Sequence, residues 1–190
     1  MSNNAQVSSE NERLILVDQE DNVLGHASKG EAHDGDGTLH RAFSIFIFNP
    51  AGELLQQNRS DQKRMWPMIW SNSCCSHPRE GETYEFSTAR RLREELALEA
   101  ERTYLYRFSY QARFSEAGSE HELCSVYVGH VTGAQTVDVN PNEIAEWRWE
   151  APEEIDRMLA EEPDQLTPWF KLEWARIRSD HPESIRPPSH

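Results

Sequence analysis

Cys75 lies in the run Trp66-Pro67-Met68-Ile69-Trp70-Ser71-Asn72-Ser73-Cys74-Cys75-Ser76-His77-Pro78. In extended backbone Cys75 and His77 share a face. Further on, Glu120-His121-Glu122 opens an apolar run. Side chains alternate along a strand, so Glu120, Glu122, Cys124, Val126 and Val128 point the same way. Two carboxylates at the end of an apolar row must be neutralised by a proton or a cation if they are buried. Otherwise they lie on a solvated strand end, which is what this strand taken by itself favours. The histidines shift that balance. His33 and His40 flank Asp34-Gly35-Asp36-Gly37, a segment able to fold back. With His77 they make three imidazoles beside two carboxylates, a donor set suited to a divalent transition metal such as Mn²⁺ or Zn²⁺. A thiol at the edge of such a set points to acid–base chemistry.

A second carboxylate stands apart. Arg90-Arg91-Leu92-Arg93-Glu94-Glu95 places acids after bases along a helix. One reading is a solvated face with ion pairs one turn apart. The other is that Glu95 holds Mg²⁺ against a phosphate, with counter-charge from Lys29, Arg59, Lys63 and Arg91. His26, His121, His130, His181 and His190 carry no such context and read as ordinary surface or core residues.

The elements that must position these groups are short. Leu14–Val17 reads as a strand, Phe43–Phe48 as a second, and Asn49-Pro50-Ala51-Gly52 as the turn into a returning strand, Glu53–Gln57. Phe86, Ala89, Leu92 and Leu96 recur at helical spacing and predict a helix over 85–98. Strands follow over 104–114 and 120–131, joined at Ala117-Gly118, and over 144–150. Pro152 suits a first helical turn for a helix over 152–161. Thr167-Pro168 reads as an N-cap and first position of a helix to about Arg178. Mixed strands and helices make an α+β or three-layer α/β domain.

The 190 residues fit one domain: a core from 11 to 180, with flexible ends over 1–10 and 181–190. The net charge of −14 argues against non-specific binding to nucleic acid or an anionic membrane. No stretch reaches the length of a membrane span, and the polar N-terminus lacks a signal-type apolar region. Three cysteines without a CxxC pair argue against a disulfide framework or zinc knuckle and for a reducing compartment, hence the cytoplasm.

Several separated motifs then coincide: Lys29-x3-His33-x6-His40-x2-Phe43; Trp66-Pro67-x2-Trp70-x-Asn72-Ser73-x-Cys75-x-His77-Pro78; Arg90-Arg91-Leu92-x2-Glu95-Leu96; Tyr110; Glu120-x-Glu122; and Thr167-Pro168-Trp169. From about Leu14 to Trp174 the chain resembles the type I isopentenyl-diphosphate delta-isomerases of the Nudix superfamily. The resemblance implies a Nudix-type α/β/α sandwich with a mixed central sheet. It implies movement of a C=C bond in a small diphosphate, isopentenyl to dimethylallyl, by a monomer or weak dimer. Cys75 and Glu122 would be the catalytic pair, with Tyr110 bonded to the carboxylate and Trp169 against the hydrocarbon. His33, His40, His77, Glu120 and Glu122 would ligate one metal, Mn²⁺ or Zn²⁺. Glu95 would hold Mg²⁺ with the diphosphate, which Lys29, Arg59, Lys63 and Arg91 would face. Trp70 is a second candidate for shielding a cation, or else a core anchor. Where the wider Nudix pattern has glycine, glutamate and glycine, this chain has Ser76, Arg91 and Ala97. The missing glutamate counts against pyrophosphate hydrolysis, and Ala97 should affect mainly how the helix ends.

Overall fold

A computed structural model describes residues 5–133 and 135–186. The chain opens with β1 (Arg13–Val17), β2 (Val23–Ser28), α1 (Lys29–His33), β3 (His40–Phe48) and β4 (Leu54–Arg59). Two short strands, β5 (Trp70–Ser71) and β6 (Cys74–Ser76), precede α2 (Tyr84–Leu96). The long hairpin β7 (Arg102–Ser115) and β8 (Gly118–His130) is followed by β9 (Ile144–Glu150), α3 (Pro152–Glu161) and α4 (Pro168–Asp180).

All nine strands belong to one sheet. β3 is its spine, pairing parallel with β8 on one side and antiparallel with β6 and, further on, β4. Burial on both faces explains why Ala42 to Phe48 reads as an almost unbroken apolar run. Alternation sends Phe43, Ile45 and Ile47 to one face, where Leu92 and Leu96 of α2 cover them. Ala42, Phe46 and Phe48 go to the other, packed by Ile155 and Met158 of α3 and Trp169, Phe170, Trp174 and Ile177 of α4. Helices on both faces of a mixed sheet give the expected three layers.

The pairing register also sorts the reactive groups. His40 stands opposite Glu122, Ser44 opposite Cys75 on one side and Val126 on the other, and Tyr110 opposite Glu122. Residues facing one another across strands share a face. Cys75, Glu122, His40 and Tyr110 therefore all project from the same side, and Cys74 projects from the opposite one.

Several boundaries differ from those read in the sequence. β3 begins at His40 rather than Phe43, because His40 is itself a ladder residue, paired with Glu122. β2, α1, β5 and β6 were not anticipated; they are short and polar, although Ser28-x2-Glu31 is a capping box visible in the sequence. On α2, Phe86 is exposed, and the covered face holds Arg91 and Glu95 beside Leu92 and Leu96. Reading those two ions as a solvated face is thus corrected: the pair satisfies itself inside the protein. Both ends make contacts where they are described. Val7 O accepts from Arg79 and Arg91. After α4 a 3₁₀ turn over Pro182–Ile185 buries Ile185, and His181 stacks on Tyr106. His190 lies outside the described residues. No helix among those described is long and apolar enough to cross a membrane.

Candidate active site

A cavity of about 400 Å³ opens at the ends of β3, β6 and β8. Cys75, His77, Glu120, Glu122, Tyr110 and Trp169 line it, together with the cations Lys29, Arg59, Lys63 and Arg91 and with Glu143.

His33 comes from the end of α1, His40 from the start of β3, and His77 from the residue after β6. Their ring centroids are 4.8, 5.2 and 4.9 Å apart. The tip of the β7–β8 hairpin helps to seat α1. Gly118, at φ +144°, lies so close that an added Cβ would fall 2.4 Å from His33 O. One ligand atom from each of His33, His40, His77, Glu120 and Glu122 lies within 4.8 Å of the others, and all five residues are buried.

This donor set fits a divalent cation. Nδ1 of His33 and of His40 each meet a backbone carbonyl at 2.7 Å, Lys29 O and Thr38 O. That contact fixes the tautomer and turns Nε2 inward. His40 Nε2 is buried without a hydrogen-bond partner. Glu120 Oε2 lies 2.8 Å from His33 Nε2, out of alignment for a hydrogen bond. Burial pushes His40 down to about 4 and His77 well below its ordinary range, keeping both neutral as ligands must be. Burial opposes the charge on His33, but Glu120 outweighs it and raises its pKa. Desolvation and the neighbouring Glu120 push Glu122 upward. A buried carboxylate pair in this condition is what a cation relieves.

Around Glu122 each oxygen has its own partner. Oε1 lies 3.0 Å from His77 Nε2, and Oε2 accepts from the Tyr110 hydroxyl at 2.7 Å. Burial raises the Tyr110 pKa well above its usual value, which keeps it a donor. Cys75 is partly accessible from the cavity, yet surrounding protein desolvates its thiol and pushes it up to about 12. Arg59 offsets this only in part, with Nη1 3.7 Å from Sγ. At neutral pH Cys75 is therefore a thiol, able to donate a proton.

Trp169 is fixed by its indole N–H, which donates to Ser71 Oγ at 3.1 Å and Asn72 Oδ1 at 3.2 Å. Trp66 meets it edge-on at 5.4 Å. Thr167 is the N-cap of α4, as read from the sequence, but its hydroxyl meets Ser71 Oγ at 2.9 Å and makes no capping bond. Trp70 does not line the cavity; it packs in the core with Arg148 4.0 Å over its ring. Its candidacy as a shielding ring is corrected, because the strand pairing of β5 turns it away.

The cations are not equivalent. Arg59 donates to Trp66 O and Met65 O, both at 3.0 Å. It thereby pins a loop in which Trp66 and Met68 hold positive φ angles of 46° and 58°, strained for bulky residues. Burial and Lys63 hold Lys29 below its ordinary range. Arg91 is buried, and although desolvation opposes its charge, Glu95 and Glu143 outweigh it and raise its pKa. Glu95 lies behind Arg91, its Oε1 bonded to Nε at 2.9 Å and approached by the Cys74 thiol at 3.5 Å. It does not line the cavity and stands outside the five-residue cluster. Glu143 was missed; nothing in Asn140-Pro141-Asn142-Glu143 marks it, and only the fold brings it to Lys63 and Arg91.

Comparison with known proteins shows the family and the fold. The sequence model of the NUDIX domain matches residues 38–170. An isopentenyl-diphosphate Delta-isomerase 1 of Photorhabdus laumondii is 39% identical over 172 residues, covering 90% of this chain and 97% of the relative. An isopentenyl-diphosphate Delta-isomerase of Burkholderia multivorans is 42% identical over 159 residues, covering 84% and 89%. Among solved structures, the DR0079 protein of Deinococcus radiodurans superposes with a TM-score of 0.70 at 27% identity, covering 87% of this chain and 98% of its own. A MutT protein of Methanosarcina mazei, 19% identical, shares the fold at a TM-score of 0.58 over 74% of this chain and 93% of its own.

Proposed function

Because this chain belongs to the NUDIX domain family and, within it, to the isopentenyl-diphosphate delta-isomerases, we infer that it converts isopentenyl diphosphate into dimethylallyl diphosphate, a step of isoprenoid biosynthesis. The observation that carries the chemistry is that Cys75 and Glu122 line one cavity of about 400 Å³, where burial pushes both the thiol and the carboxyl upward.

An unactivated alkene is a poor base, so its protonation needs an acid held against one carbon. A base must then remove a different proton from the tertiary cation. Cys75 and Glu122 are that pair. Tyr110 and His77 hold one oxygen of Glu122 each, which fixes the carboxylate's orientation. Trp169 presents a ring to the hydrocarbon and keeps water from the cation; the cation–π contribution is about 2 kcal/mol in a desolvated site. Lys29, Lys63 and Arg91 face the diphosphate, and Arg59 holds the loop beside Cys75. This remote anchoring orients the five-carbon end between the two reacting groups.

His33, His40, His77, Glu120 and Glu122 would hold Mn²⁺ or Zn²⁺; Glu95, expected to hold Mg²⁺ with the diphosphate, is taken up by Arg91 and would have to part from it to reach such an ion. When bound, such ions supply fixed positive charge, which steadies the buried carboxylates and sets their proton affinity. The free thiols Cys74, Cys75 and Cys124 support the cytoplasm as the compartment.

The test is incubation with isopentenyl diphosphate and Mg²⁺ in D₂O, followed by NMR. Deuterated dimethylallyl diphosphate is the expected product. Release of inorganic phosphate in its place would identify a hydrolase, and an unchanged spectrum a binding module.

A further inference from the structure

Glu143 precedes β9 and is only 2% exposed, yet it lines the cavity at its cationic end. Its Oε2 meets the Lys63 ammonium and lies 3.2 Å from Arg91 Nη2. The same Nη2 is 2.5 Å from Glu95 Oε1, so two carboxylates converge on one guanidinium nitrogen. The neighbouring cation contacts are also filled from within the chain. Arg91 Nη1 donates to Val7 O at 2.9 Å, and Lys29 Nζ to Ser8 Oγ at 2.7 Å.

Glu143 thus occupies the counter-charge that an incoming diphosphate requires. A bare diphosphate would meet Lys63 and Arg91 already neutralised, with a desolvated carboxylate alongside. Like charges set side by side in such a place repel and weaken binding. A diphosphate carrying a divalent cation presents both signs. Its oxygens suit Lys29, Lys63 and Arg91, and its cation suits Glu143.

We propose that Glu143 is a specificity-determining residue that makes this end of the cavity accept a cation-bound diphosphate and reject a bare one. The inference rests on the diphosphate end of the isomerase reading, but not on the identity of the reaction.

The test is calorimetric titration of the full chain with inorganic pyrophosphate, in buffer freed of divalent cations and again with excess Mg²⁺. Wild-type protein binds the Mg²⁺ form at least about tenfold more tightly. Glu143→Gln gains affinity for the bare form, and the preference falls below about threefold. Equal affinity of the wild type for both forms, or an unchanged preference in Glu143→Gln, overturns the proposal. Lys63→Met keeps the carboxylate and serves if the first variant does not fold: it weakens both forms but retains the preference, and loss of the preference there also overturns the proposal. A wild type that shows the preference but makes no dimethylallyl product sinks the isomerase reading and leaves Glu143 in its role.

Discussion

The two oxygens of Glu122 are held from different sides, by Tyr110 at 2.7 Å and by His77 at 3.0 Å. Neither partner can be lost without letting the carboxylate turn. A hydrogen bond to a charged group contributes roughly 1.5–3 kcal/mol. Tyr110→Phe should therefore lower kcat by about tenfold or more while leaving KM for isopentenyl diphosphate near wild type, as steady-state kinetics will show. A large rise in KM with unchanged kcat would place Tyr110 in binding instead. The types and order of Cys75, Glu120, Glu122 and the three histidines were legible because such residues rarely recur together in a polar chain. Glu143 was not legible, since its partners Lys63 and Arg91 lie 80 and 52 positions away.

At the scale of elements, two helices carry unusual residues. α2 ends on Ala97 in the left-handed region, φ 52° and ψ 30°, with its amide bonded to Arg93 O. The left-handed region costs a residue with a Cβ roughly 1–2 kcal/mol, so Ala97→Gly should raise Tm by about 2–6 °C with activity unchanged. An unaltered melting curve would contradict that. α4 buries Glu173 in the apolar core, its Oε2 without a hydrogen-bond partner and its Oε1 3.4 Å from Cys124 Sγ. Burial pushes this carboxyl up to about 8. The folded state then holds a proton that the unfolded chain releases near pH 4.5. The contribution of this carboxyl to stability therefore falls as pH rises from about 4.5 to about 8. Glu173→Gln should remove that slope and stabilise the protein by a few kcal/mol at pH 8 and above, as denaturant titrations at pH 5 and pH 8.5 will show. An unchanged slope would put Glu173's charge elsewhere. Helix periodicity revealed α2 and its buried Leu92 and Leu96, but it also placed the exposed Phe86 on that stripe and did not reveal the buried Arg91–Glu95 pair, because a mutually satisfied ion pair has the same pattern as a solvated one.

At the scale of the molecule, the site exists only because topology gathers it. α1, β3, β6 and β8 contribute His33, His40, His77 and the two glutamates, and the parallel pairing of β3 with β8 sets His40 opposite Glu122. That juxtaposition follows from strand register, which no local spacing in the sequence encodes. A buried set of three imidazoles and two carboxylates should make stability depend on its ion. Metal-depleted protein given Zn²⁺ or Mn²⁺ at about a hundred times Kd should gain about 2.7 kcal/mol, roughly 5–10 °C in Tm. His40→Asn should abolish most of that gain; a gain that survives would move the ion elsewhere. Cys75 places its sulfur in the same cavity as Glu122. The deciding measurement is turnover of isopentenyl diphosphate by Cys75→Ala, alongside its melting curve and metal content. The predicted result is a loss of at least about 10² in kcat from a protein that still folds and still binds its metal. Near-normal turnover by that variant would contradict the assignment of Cys75 and the mechanism built on it.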